Sequence, residues 1–292
     1  AFALIWADGK LHGLNASGPA PSGITLETIA KLGYREIPKS GWLPVIVPGA
    51  PAAWAELSRR FGKLPFADLF ASAIDYAEQG YPVSPIISDL WSNSVKRFQT
   101  EHAPEFRPWF ETFAPGGAAP NPGQVWRSAD HARTLARLAE THCQDFYQGE
   151  LAERIVAFAK QYGGYLRETD LGGYRPEWVQ PIKINYRGYD VWEIPPNGHG
   201  LVTLVALNIL KGFTFQEKES VDTYHKQIEA MKLAFADGLQ YITDSRKMQV
   251  RVEDLLSDSY AEERRSLIGK TALAPFPGQP EKGGTVYLAA AD

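Results

Sequence analysis

Phe2 to Trp6 is an apolar, strand-like run, the pair Asp8-Gly9 follows it, and Lys10 to Asn15 resumes an extended pattern. Asp-Gly between two such runs is a two-residue hairpin turn, so the chain is predicted to open on a β-hairpin. Between residues 16 and 51 breakers dominate (Gly18, Pro19, Pro21, Gly23, Pro38, Gly41, Pro44, Pro48, Gly49 and Pro51), and the stretch reads as mostly loop. From Ala52 the spacing becomes helical. Trp54, Leu57 and Phe61 share one face, Leu69, Ile74 and Ala77 lie on the next segment, and Gly62 and Gly80 stand where the two helices should stop. The sequence PGGAAPNPGQ at residues 115 to 124 reads as a surface loop.

Helical periodicity returns in Ala129 to His142 and in Leu151 to Tyr162, where Leu151, Ile155, Phe158 and Ala159 share a face. These two helices are expected to pack together. Pro181 to Tyr186 and Tyr189 to Ile194 alternate apolar and polar residues around Arg187-Gly188, which predicts a second hairpin. Helices are predicted at Leu201 to Leu210, Asp222 to Ile242 and Glu253 to Leu267, and a last strand begins at Thr285. Two widely separated hairpins and a terminal strand fit an antiparallel α+β fold better than repeated βαβ units.

Composition narrows the class. The 292 residues are 44% hydrophobic and 22% charged, which excludes disordered, collagenous and coiled-coil chains and leaves one to two globular domains. A net charge of −4 gives no broad basic field, so no nucleic-acid partner is expected. No window reaches the roughly 18 apolar residues of a membrane span. The start, AFALIWADGK, has none of the parts of a signal peptide, and a strand beginning at residue 1 suggests sequence upstream of it, so the true N-terminus is expected to be absent. The compartment stays open between cytoplasm and periplasm or secretion. Cys143 is the only cysteine, so no intrachain disulfide is possible.

Of the possible chemistry, metal and cofactor sites drop out first. The six histidines show no ligand spacing, and GxGxxG, Walker A, HExxH and GxSxG patterns are absent. His142 beside Cys143 reads as a buried thiol with a neighbour pointing elsewhere. His225, Glu229, Lys232 and Asp237 form a polar stripe on one helix and read as a solvated face. Two stretches carry more. Pro195-Pro196-Asn197-Gly198-His199-Gly200 lies between a predicted strand and helix, where glycines can turn backbone N–H groups toward a ligand, although a plain turn would look the same. Gly283-Gly284-Thr285 leads into the last strand and is either a turn or a self-processing junction. In the second case the Thr285 hydroxyl attacks the Gly284 carbonyl, the ester hydrolyses, and Thr285 becomes a new N-terminus. Its α-amine, with a pKa near 7.7 to 8.0, is then matched to act as base for its own hydroxyl.

The pieces also occur in an order that resembles the γ-glutamyltranspeptidase family of N-terminal nucleophile (Ntn) hydrolases from end to end. They are Phe2-Ala3-Leu4-Ile5, Val47-Pro48-Gly49 before a helix, Asp145-Phe146-Tyr147-x-Gly149, Gly163-Gly164, Asp170-Leu171, Tyr186-Arg187-Gly188-Tyr189, Pro195-Pro196, Leu207-Asn208-Ile209-Leu210 and Gly284-Thr285. The resemblance implies a four-layer αββα enzyme made as a precursor and cut before Thr285. Residues 1 to 284 would then belong to the large subunit and residues 285 to 292 to the start of the small one, with this piece inactive alone. It implies cofactor-free transfer of a γ-glutamyl or related acyl group, from an amide such as glutathione to water or an amine, with the small subunit of the same precursor as partner. Thr285 would be nucleophile and Gly284 its processing partner, with Asn197, Gly198 and His199 as a pocket loop and Ser17 lining the acyl site.

One position departs from the family. Where an arginine for the substrate α-carboxylate is expected, the loop reads Asn15-Ala16-Ser17-Gly18-Pro19, and a serine cannot make that bidentate contact. Arg35 and Arg187 are the candidates to replace it in space. A cephalosporin acylase-like amidase with non-glutamyl specificity is therefore the alternative. A non-catalytic binding or structural homologue, using the eight tryptophans as a surface, is the third reading.

Overall fold

Residues 1–280 are described in the computed structural model, and the predicted junction at Gly284 and Thr285 and the last strand lie outside them. Strands β1 (Phe2–Ala7) and β2 (Lys10–Asn15) pair antiparallel from Phe2 with Asn15 to Ala7 with Lys10. Asp8 and Gly9 turn the corner at φ 50° and 73°, both in the left-handed region that a two-residue turn of this hand requires.

The chain divides into two compact units, one of Ala1 and residues 16–176, the other of residues 2–15 and those from 177 onward. The first is mostly helical. Its loop contains one short helix that the breaker-rich sequence hid, α1 (Leu26–Lys31), capped by the Thr25 hydroxyl, which accepts from the Thr28 N–H. Then follow α2 (Ala50–Phe61), a 3₁₀ turn at Phe66–Phe70, α3 (Ala71–Gln79), β3 (Tyr81–Pro82), α4 (Pro85–Phe98), α5 (Arg107–Phe113), β4 (Val125–Trp126), α6 (Ala129–Glu140), α7 (Asp145–Gln148), α8 (Glu150–Gln161) and α9 (Glu168–Gly172). Gly62 and Gly80 end α2 and α3 as the sequence predicts. Strands β3 and β4 pair with each other.

Helices α6 and α8 do not form the expected pair. His142 and Cys143 both have positive φ (49° and 62°) and turn the chain sharply after α6, so α7 comes between. As a result α6 packs on α3 and the 3₁₀ turn, through Phe66, Phe70, Leu138 and Ala139, whereas α8 packs on α7 and α9 around Val156, Leu166 and Leu171. Only Leu151, in the first turn of α8, reaches the α6 cluster.

In the second unit, β5 (Glu177–Val179) adds antiparallel to β2, giving a sheet in the order β1-β2-β5. Strands β6 (Ile182–Tyr186) and β7 (Tyr189–Glu193) form the second predicted hairpin, with Arg187 and Gly188 at positive φ. Helix α10 (Gly200–Leu210) is apolar nearly all round and buried accordingly, and it packs on α11 (Val221–Tyr241) through Leu201, Val205 and Ile209 against Ala230 and Leu233. Gly238 makes that approach possible, because a Cβ there would lie 2.5 Å from Val202 Cγ2. The single helix predicted from Glu253 to Leu267 is two, α12 (Val252–Leu255) and α13 (Asp258–Ser266), because the Ser257 hydroxyl accepts the Tyr260 N–H and starts a new helix. The fold is mixed α and β, and every strand pairing among the described residues is antiparallel. Among those residues no helix is long and apolar enough to cross a membrane.

Candidate functional site

The residues that the sequence singles out fall into three places. Ser17 sits half-buried in a loop of the first unit that is held by close backbone packing. The Ala16 N–H donates to the Ala1 carbonyl (2.8 Å), and the Val47 N–H donates to the Pro19 carbonyl (3.0 Å). A Cβ at Gly18 would collide with the Val47 carbonyl and one at Gly49 with that of Ala16, so the loop and the Val47-Pro48-Gly49 segment touch at van der Waals distance only because both residues are glycine.

The segment is pinned in turn by Tyr147, whose hydroxyl donates to the Pro48 carbonyl (2.6 Å) and accepts from the Ala52 N–H (3.1 Å). Burial pushes that phenol above its ordinary pKa and keeps it a donor. Two residues earlier, the Asp145 carboxylate takes a hydrogen bond from Arg137 (2.9 Å) and another from the Leu151 N–H (3.0 Å). A Cβ at Gly149 would overlap it. The Arg137 guanidinium holds the Asp145 carboxyl below the usual carboxylate range despite burial. Asp145, Tyr147 and Gly149 are thus scaffold, and the loop bearing Ser17 is what they hold.

The Pro195 to Gly200 loop lies in the second unit and connects β7 to α10 as predicted, with the Pro196–Asn197 peptide cis. Asn197 and His199 are exposed and Gly198 is buried against the Phe2 ring. The Asn197 side-chain oxygen, Oδ1, accepts from Asn15 Nδ2 (3.0 Å), tying the loop to the end of β2. The His199 carbonyl accepts the Val202 N–H (3.0 Å), and the side chain makes no cap on α10. The Glu193 carboxylate lies where a Cβ of Gly200 would be, which places a negative charge at the start of the helix. Of the two candidates offered to replace an arginine at Ser17, Arg187 is committed elsewhere: its guanidinium donates to the Phe213 carbonyl (3.1 Å) and covers the Tyr186 and Phe215 rings.

The third place is the approach to the junction, and here the sequence reading is corrected. The stripe His225, Glu229, Lys232 and Asp237 on α11 is no solvated face. It holds the backbone of residues 269–278, a segment without helix or strand that bends at Lys270 and Thr271. His225 Nε2 donates to the Gly269 carbonyl (2.9 Å), the Leu273 N–H donates to Glu229 (3.2 Å), and Lys232 donates to the Leu273 carbonyl (2.6 Å). Further on, the Gly278 N–H donates to Asp237 (2.8 Å) and its carbonyl accepts from the Tyr241 hydroxyl (2.5 Å). Arg264 of α13, wholly buried, donates to the Phe276 carbonyl (2.5 Å) and pairs with Asp237 at 3.1 Å. Burial raises the Asp237 carboxyl, opposed by the Gly278 N–H and by Arg264. Sequence reasoning missed Tyr241 and Arg264 altogether, because their partners, the Gly278 and Phe276 carbonyls, leave no pattern in the sequence.

Cys143 is buried and its thiol is pushed up to about 11 by desolvation, so it rests as a neutral thiol, as the sequence reading has it. Among the described residues no group of three His, Cys, Asp or Glu side chains is placed to hold a metal ion.

Comparison with known proteins places this architecture. The family model described as "Gamma-glutamyltranspeptidase" matches residues 1–292. The glutathione hydrolase-like YwrD proenzyme of Bacillus subtilis is 33% identical over 281 residues, covering 95% of this chain and 52% of its own length. A crystal structure of cephalosporin acylase from Bacillus halodurans superposes with a TM-score of 0.92 at 58% identity, over 96% of this chain and 52% of that one. The γ-glutamyltranspeptidase of Helicobacter pylori superposes with a TM-score of 0.85 at 26% identity, over 98% of this chain and 84% of that one. The chain spans about half the length of the curated relatives it matches. With its hairpins, its glycine-mediated loop contacts and its end-to-end match, the chain belongs to the gamma-glutamyltranspeptidase family.

Proposed function

We propose that this chain is the larger part of an amidohydrolase or acyltransferase that cuts its own precursor before Thr285 and then uses Thr285 as nucleophile. The observation that carries the proposal is the family match over all 292 residues, a span that includes the Gly284-Thr285 pair. In processing, the Thr285 oxygen adds to the Gly284 carbonyl carbon, the C–N bond of that peptide breaks, and an ester joins the two residues. Water then cleaves the ester, leaving a carboxylate on Gly284 and a free hydroxyl and α-amine on Thr285. In turnover the α-amine takes the hydroxyl proton, the oxygen adds to the substrate amide carbonyl, the C–N bond breaks and the amine leaves with that proton, and the resulting ester gives its acyl group to water or to an amine, restoring the hydroxyl. In this proposal residues 1 to 284 are the large-subunit part and 285 to 292 begin the small subunit, its partner in a four-layer αββα Ntn-hydrolase fold. Asn197, Gly198 and His199 serve as a loop at the pocket.

The leading acyl group is γ-glutamyl, in keeping with the glutathione hydrolase-like relative of Bacillus subtilis. A second reading, an acylase for non-glutamyl groups, is favoured by two observations: Ser17 at the position where the family resemblance puts an arginine, and 58% identity to a cephalosporin acylase. Turnover of a γ-glutamyl anilide and of a butanoyl anilide, which lacks the α-amine and α-carboxylate, separates them. The leading reading predicts a clear preference for the first, abolished by Thr285→Ala. The second predicts a preference for the butanoyl compound and a gain on the γ-glutamyl one in Ser17→Arg. That gain should be roughly tenfold to a hundredfold, since a charged hydrogen bond contributes about 1.5–3 kcal/mol. Inactivity of the complete, processed protein on both anilides and on other amides would contradict the enzymatic proposal.

A further inference from the structure

The ten residues from Gly269 to Gly278 run alongside α11 from His225 to Tyr241, so strap and helix point the same way. Sixteen helical residues rise roughly 24 Å. Nine residue steps can span at most about 30 Å, so the strap has the length to follow the helix over that rise. Its polar groups go to side chains rather than to a sheet ladder: His225, Glu229, Lys232, Asp237 and Tyr241 on α11 and Arg264 on α13 take them in sequence order. Its other edge is apolar. Pro275 and Pro277, which have no N–H to satisfy, line a groove of about 600 Å³ with Ile228, Met231, Phe235 and Leu239. Holding is densest at the end nearest the junction. There the buried Asp237–Arg264 pair and the Tyr241 hydroxyl meet Phe276 and Gly278, and Gly278 fits only as glycine, because a Cβ would strike the Tyr260 hydroxyl.

Gly278 stands six residues before Gly284, a reach of roughly 20 Å at most. A cover for α11 needs only the apolar contacts. A strap held by side chains at Gly269, Leu273, Phe276 and Gly278, most densely at the end nearest the junction in sequence, also removes freedom from the chain that must bring a hydroxyl onto its own preceding carbonyl. We infer that this strap promotes precursor processing by tethering the chain six residues before the processing junction, with Asp237, Arg264 and Tyr241 as its positioning residues. The inference rests on the reading that the precursor is cut before Thr285.

The test follows self-cleavage of the complete precursor, made by cell-free synthesis, by intact mass over time. Wild type is set beside Tyr241→Phe, which removes one hydroxyl, Gly278→Ala, which lifts the strap at the same point, and their double variant. Each is also read by thermal midpoint, by hydrogen exchange at the Leu273 and Gly278 amides, and by turnover of the fraction that has been cut. The expected result is cleavage slowed at least tenfold in both single variants. Exchange at Gly278 should rise, the thermal midpoint should stay within a few degrees, and the cut enzyme should turn over as wild type does. The double variant should be little slower than either single one, since both release the same contact. Tyr241→Phe is mild enough to fold even if Gly278→Ala is not. Wild-type precursor that cuts while the variants cut within twofold of it, with exchange at Gly278 raised, overturns the role of the strap alone. So does a loss of rate matched by an equal loss of thermal stability and of turnover in the cut enzyme, which is the mark of a structural residue only. Wild-type precursor that stays whole overturns the processing reading and this role with it.

Discussion

Asp145 accepts from Arg137 and from the Leu151 N–H, and both bonds favour the ionised carboxylate. Its folded pKa is therefore below the unfolded value of about 3.9, so the stability it contributes is fully present above that pH and is lost as the pH falls through the folded value. Asp145→Asn should lower stability at pH 7 by about 1–3 kcal/mol, because a buried acceptor pair is broken, and should shrink the fall in stability between pH 5 and pH 3. Urea midpoints at several pH values read both effects, and an unchanged acid limb in the variant would contradict the assignment. Ser17 is the other residue on which much turns, since its lack of charge separates the two acyl readings, and Arg187 is already engaged with Phe213 and two rings.

At the scale of elements, what was legible in the sequence is what local chemistry dictates. Asp8-Gly9 and Arg187-Gly188, each ending in a glycine that accepts positive φ, marked the turns of both hairpins, and Gly62 and Gly80 stopped their helices where they should. Illegible features depend on partners far along the chain. The α11 stripe looked solvated because the backbone it holds comes some 40 residues later, in a segment of prolines and glycines with no periodicity of its own. The α6–α8 pairing failed because two non-glycine residues, His142 and Cys143, take a left-handed turn that no residue type announces. Contact between α10 and α11 offers a sharper test. Gly238→Ala adds a helix-favouring residue, yet its methyl meets Val202 in a full core, so the variant should lose about 1–3 kcal/mol by denaturant titration. Val202→Ala in the same background should recover part of that loss. A variant as stable as wild type would show that the helices have room to spare.

For the whole molecule, family membership rests on the match over every residue and on the structural likeness, and the activity is proposed from it. Two compact units carry the candidate residues between them: the loop with Ser17 in the first, the Asn197 to His199 loop and the strap toward Thr285 in the second. Of the residues that carry the family resemblance, Asp145, Tyr147, Gly149 and Gly49 act as scaffold, and the proposed chemistry rests on the junction that lies outside the described residues. The most direct measurement is therefore intact mass spectrometry of the complete precursor at neutral pH, wild type beside Thr285→Ala. Two fragments in the wild type, the smaller beginning at Thr285, and one uncut chain in the variant are predicted. One uncut chain in both, or two fragments in both, would contradict Thr285 as the nucleophile.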